Sequence, residues 1–76
     1  MKIMVRAPLM ADKIKDLLDG QTLDGARFSF VSKSGMDMTF EVTGDDLASL
    51  DPAAIAKSAI KSTSFGKGIY FSVTDV

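Results

Sequence analysis

The residues able to do chemistry in this chain are few, and most are lysines and aspartates. Nine Lys and Arg stand against ten Asp and Glu, with neither histidine nor cysteine in 76 residues. Without cysteine there is no thiolate nucleophile, disulfide or thiolate metal site. Without histidine the usual general base near neutral pH and the commonest zinc ligand are missing. A carboxylate loop of the D-x-[DN]-x-[DN]-G type does not occur either. We therefore expect no enzyme, no metal and no cofactor. One stretch does gather reactive groups: Ser62-Thr63-Ser64-Phe65-Gly66-Lys67-Gly68 combines hydroxyls, glycines and an ammonium group. A phosphate loop proper needs G-x-x-x-x-G-K-[ST] between a strand and a helix. Here the first glycine is missing and Lys67 is followed by Gly68 rather than a hydroxyl, which leaves a looser anion site built on Ser62, Ser64, Lys67 and Gly68.

The elements that must position these residues belong to a single domain, 1–76. With 46% hydrophobic and 25% charged residues and a net charge of -1, the chain is apolar enough to fold. No apolar run approaches the ~18–20 residues that span a bilayer. The opening MKIMVRAPLM alternates and carries Arg6 inside the run, unlike a signal peptide. Absence of cysteine fits the cytoplasm, which is the expected compartment.

Residues 2–7 alternate Ile3, Val5 and Ala7 against Lys2, Met4 and Arg6, the pattern of a half-buried strand. Pro8 ends it, and a helix is expected over Leu9 to Asp19 with Met10, Ile14, Leu17 and Leu18 on one stripe. Gly20 stands at its C-terminal cap. A second strand, Ala26 to Ser32, turns Phe28 and Phe30 inward. A third, Met36 to Thr43, turns Met38, Phe40 and Val42 inward. A three-residue turn at Lys33-Ser34-Gly35 would set Phe28 opposite Phe40 and Arg27 opposite Glu41. Closing the hairpin instead on Lys33 and Asp37 would set Phe30 opposite Phe40, and both registers stay open. Asp45 to Leu50 reads as a short helical turn. Asp51-Pro52 starts a second helix to about Thr63, with Ile55, Ala56, Ala59 and Ile60 inward. The last strand is Gly68 to Thr74, with Ile69, Phe71 and Val73 inward.

The order βαββαβ resembles the ferredoxin-like superfold. That resemblance implies an α+β two-layer sandwich, an antiparallel sheet in order 4-1-3-2 and both helices on one face. It carries no function. In that arrangement Arg6, Lys33, Lys61 and Lys67 gather at one end with the Ser/Gly loop, while Asp16, Asp19, Asp24, Glu41, Asp45, Asp46 and Asp51 gather at the other. The basic end is the candidate anion site: Arg6, Lys33, Lys61, Ser64, Lys67 and Gly68.

Lys67-Gly68-Ile69-Tyr70-Phe71-Ser72-Val73 is similar to the long motif of RNA-recognition domains, [KR]-G-[FY]-[GA]-[FY]-[VI]-x-[FY], at Lys67, Gly68 and Phe71. It departs from that motif at Ile69 and lies on the last strand. Alternation turns Phe71 to the core, and Asp37, Thr39 and Glu41 fill the outward places of the third strand, where they would repel phosphate. We read it as a strand. The open sheet face offers Met4, Val31, Tyr70 and Ser72 to a partner, and strand 68–74 is an edge short of protecting charge. The expected function is therefore a small non-enzymatic binding or regulatory module. It would work through protein contacts at that edge or face, with another protein or with a second copy. The alternative is an anion-binding domain for nucleic acid or a phosphorylated small molecule.

Overall fold

The computed structural model describes residues 1–46 and 49–76. The elements run β1 (Lys2–Arg6), α1 (Ala11–Leu18), β2 (Thr22–Leu23), β3 (Ala26–Ser34), β4 (Asp37–Thr43), α2 (Pro52–Lys61) and β5 (Ser72–Asp75). The short helical turn expected from Asp45 to Leu50 includes Leu47 and Ala48, which lie outside the described residues.

The ferredoxin-like sandwich, a four-stranded 4-1-3-2 sheet with two helices as a second layer, is not what forms. Five antiparallel strands in the order β2-β3-β4-β1-β5 curl into a half-barrel with the two helices. Three local features account for the difference. First, Leu23-Asp24-Gly25-Ala26 is a tight hairpin, with Asp24 at φ 50° and Gly25 at φ 85°. Asp-Gly suits two consecutive left-handed residues, so β2 adds a fifth strand. Second, β3 is nine residues long and carries a bulge between Phe30 and Ser32, which increases the local twist. Third, only Ser72–Asp75 of the expected last strand pairs with β1, because residues 62–71 form turns and irregular chain.

The bulge also settles the hairpin. Ser34 pairs with Asp37 across Gly35 and Met36, and Gly35 alone takes a positive φ. Phe30 faces Phe40, with ring centroids 5.7 Å apart at 75°. Phe28 faces Val42 and Arg27 faces Thr43, rather than Phe40 and Glu41. α1 begins at Ala11, two residues later than its apolar stripe suggests, because Met10 is left-handed at φ 63° and cannot continue a helix. Met10 is consequently exposed, while Ile14 and Leu18 are buried. α2 follows its signals more closely. The Asp51 carboxylate accepts from Ala54 N at 3.3 Å, Pro52 follows, and Ala56 and Ile60 are buried. One core joins these helix residues to Ile3, Val5, Phe28, Met38, Phe40 and Val42.

The two sides of the sheet are finished differently. Along β3 three backbone groups facing away from β4, at Phe28 and Phe30, are taken up by the α1–β2 connection. Gly20 N donates to Phe28 O at 2.8 Å, Phe28 N to Gln21 O at 2.9 Å, and Phe30 N to the Asp19 carboxylate at 2.9 Å. Asp19 thus earns its place at the unfavourable end of α1 by sealing a strand edge. Among the described residues β5, at the other side, has β1 as its only strand neighbour.

α2 ends without a left-handed glycine. Ser62 hydroxyl donates to Ala59 O, Thr63 hydroxyl donates to Ile60 O at 2.6 Å, and Gly66 N donates back to Thr63 Oγ1 at 2.9 Å. Gly66 is buried directly over the helix end, and a methyl group there would collide with the Ile60 carbonyl. We expect Gly66→Ala to lower stability by about 1–3 kcal/mol through overpacking. Gly68→Ala, where nothing lies within 4 Å, should change it by no more than ~0.5 kcal/mol. Urea denaturation of the two variants checks this.

Candidate functional site

The turn locked by Thr63 and Gly66 sets the chain from Lys67 to Phe71 across the end of α2. Tyr70 stands there 90% exposed, the most exposed of the large apolar and aromatic side chains among the described residues. Hollows lie on either side of it. One, of about 500 Å³, is lined by Lys57, Lys61, Gly66, Lys67, Ile69, Tyr70 and Phe71. The other, of about 340 Å³, is lined by Arg6, Pro8, Met36, Tyr70, Phe71 and Ser72 and is almost wholly apolar.

The first hollow is basic by construction. Lys57 and Lys61 are one helical turn apart on α2 and so share a face, and Lys67 is delivered by the turn. Among the described residues no acidic side chain lines the hollow and none of the three lysines enters an ion pair. The macrodipole of α2 favours a cation such as Lys61 in its last turn, but it does not account for three around one hollow. The floor is Ile69 and Phe71, both half-buried.

The second hollow is a junction. Ala7 N donates to Met36 O at 3.0 Å, tying the end of β1 to the β3–β4 hairpin tip. Next to it the Pro8-Leu9-Met10 segment leaves Leu9 and Met10 exposed, as is Met36. Apolar surface at this end is therefore more than the single exposed side chains normal for a small protein.

The residues expected to bind an anion are only partly assembled. Lys61 and Lys67 meet at the basic hollow, and Lys57, not among the candidates from sequence, joins them. Arg6 lies in the apolar hollow, where its guanidinium grips Asp37 through Nε at 2.7 Å and Nη2 at 3.2 Å. Lys33 is on β3 opposite Met38, while Ser64 and Gly68 are exposed on the turn and line neither hollow. Of the expected partner-contact residues, Tyr70 and Ser72 come together at the apolar hollow. Met4 is half-buried on β1 between Thr39 and Thr74, and Val31 protrudes at the β3 bulge, with β4 and β1 between it and β5. Two further lysines are occupied by rings: Lys15 Nζ lies 4.4 Å from the Phe30 centroid and Lys13 Nζ 5.9 Å from that of Phe65.

Among the described residues no cluster of acidic side chains is placed to hold a metal, and no helix is long and apolar enough to cross a membrane. No protein-family model, curated protein or solved structure matches the chain.

The Arg6 pair has a measurable signature. Its hydrogen bond and charge hold the Asp37 carboxyl below the usual carboxylate range. A carboxylate with a lowered native pKa adds stability above its unfolded pKa and loses that contribution as pH falls through the lowered one. We expect Asp37 to titrate at lower pH in the native protein than in Arg6→Gln, measured by carboxyl carbon shifts in NMR.

Proposed function

We propose that this protein is a non-enzymatic binding module that engages another protein through the end of the half-barrel around Tyr70. One observation carries the reading: a fully displayed aromatic ring stands between an apolar hollow and a lysine-lined one. Aromatic side chains anchor protein interfaces because they bury a large area while fixing few torsions. The apolar hollow gives such an anchor a neighbour to pack against, and the lysines give the partner a polarity to match. The lack of histidine and cysteine supports a binding role over catalysis. A chain without cysteine is suited to the reducing cytoplasm, where we place it.

A second reading, binding of nucleic acid or a phosphorylated small molecule, is favoured by the three lysines around one hollow and by an exposed ring able to stack on a base. Against it, among the described residues no second exposed aromatic stands beside Tyr70, and Arg6 is already paired.

A photoreactive benzoylphenylalanine at position 70, cross-linked in the cell of origin, separates the readings. We expect discrete protein adducts at position 70 and none with the same group at Thr43, at the opposite end of β4. Adducts to nucleic acid would favour the second reading. Failure to form any adduct would defeat both.

A further inference from the structure

We infer that the partner is an extended, acidic segment of another protein that adds to the sheet as a strand beside β5. This rests on the protein-binding reading above and names the mode and chemistry of the occupant. Three observations converge on it.

First, the two sides of the sheet differ. Both backbone groups of Phe28 and the N–H of Phe30 are taken by residues 19–21, whereas among the described residues β5 is paired with β1 alone. Unpaired backbone groups on an edge strand are a template for another strand. Second, the open groups can be assigned. Val76 N donates to Lys2 O at 3.1 Å, and in an antiparallel ladder alternate residues face opposite neighbours. Thr74 and Ser72 therefore bond to β1, and the N–H and C=O groups of Val73 and Asp75 face outward. Third, the space beside that edge is charged. α2 packs over β5, and Lys57, Lys61 and Lys67 open into the hollow shared with Phe71, the residue that leads into β5. Every second side chain of an added strand would turn toward α2, where acidic groups meet these lysines. β5 itself carries one charge, Asp75, at its far end, so little guards the edge near the hollow. A strand continuing past Ser72 reaches the apolar hollow, which accepts an apolar side chain beside Tyr70.

The test uses the full chain and an end-blocked peptide of about seven residues alternating glutamate with threonine. Binding is followed by NMR shifts and amide exchange, with lysine replacing glutamate in the control peptide. We expect the glutamate peptide to slow exchange at Val73 and Asp75, to shift the amides of 67–71, and to bind more weakly as salt is raised. Lys57→Gln/Lys61→Gln should weaken it by roughly three- to tenfold, with unchanged amide shifts in β3 and β4 showing that the fold is kept. Shifts at Tyr70 without protection of Val73 and Asp75 would overturn strand addition while leaving the protein-binding reading standing. Equal binding of the lysine peptide would overturn the acidic specificity. Protection of the same two amides by raising protein concentration alone would assign the edge to a second copy and overturn the inference. So would a thymidine oligonucleotide that competes for the hollow more strongly than the peptide.

Discussion

A single close approach, the α-carbon of Gly66 against the last carbonyls of α2, organises the functional end of this molecule. Ile60 O is taken by the Thr63 hydroxyl, and the Thr63 oxygen in turn receives the Gly66 N–H. A side chain at 66 has no room. The helix therefore stops, the chain reverses across its end, and the next five residues are carried sideways over the core. From that reversal come the lysine at 67, the displayed ring at 70, the half-buried floor of Ile69 and Phe71, and the late start of β5. A longer helix would have removed the hollow, and a direct run into the strand would have buried Tyr70's neighbours in a ladder.

The rest of the structure is an ordinary solution to a small chain's problem. Two helices and a curled sheet share one core built from Phe28, Phe40, Ile3, Ile14, Leu18 and Ile60. Curling lets a short sheet surround more of its own apolar face, which suits a domain whose surface is large for its volume. The β3 bulge and the Asp24-Gly25 turn supply the bend. Asp19 completes it by holding the Phe30 N–H beside the bulge. Several acidic residues that look like an electrostatic pole in the sequence are thereby structural: Asp19 seals an edge, Asp51 caps α2, and Asp46 accepts from the Ser49 hydroxyl.

How much of this is legible in the sequence varies with the kind of signal. Alternation identifies β1, β4 and their inward residues, and Asp51-Pro52 marks the start of α2, because these depend on neighbours a few positions away. The β2–β3 hairpin is also written locally, in Asp24-Gly25, but its strand is two residues long and offers no periodicity. The bulge is invisible, since Arg27-Phe28-Ser29-Phe30-Val31-Ser32 alternates well whether or not one residue is extra. Ile69 and Phe71 do turn inward with strand-like spacing, yet they contact the core from irregular chain, so period alone misleads there. Lys57 is missed for a related reason: helix position explains it adequately until Lys67 arrives from a separate segment. Arg6 errs the other way, since its cross-strand register with Asp37 removes a charge that the sequence shows as free.

The different finish of the two sheet sides bears on assembly. Growth by strand pairing needs a continuous acceptor edge at each new end. Beside β3 the chain's own 19–21 segment already occupies both Phe28 backbone groups and the Phe30 N–H, so an incoming strand meets an interrupted row of donors and acceptors there. The alternation of the β1–β5 ladder leaves Val73 and Asp75 without such cover. The short connection that ends the first helix thus biases pairing toward one edge, and a single foreign strand or a twofold pair of copies is favoured over open-ended growth.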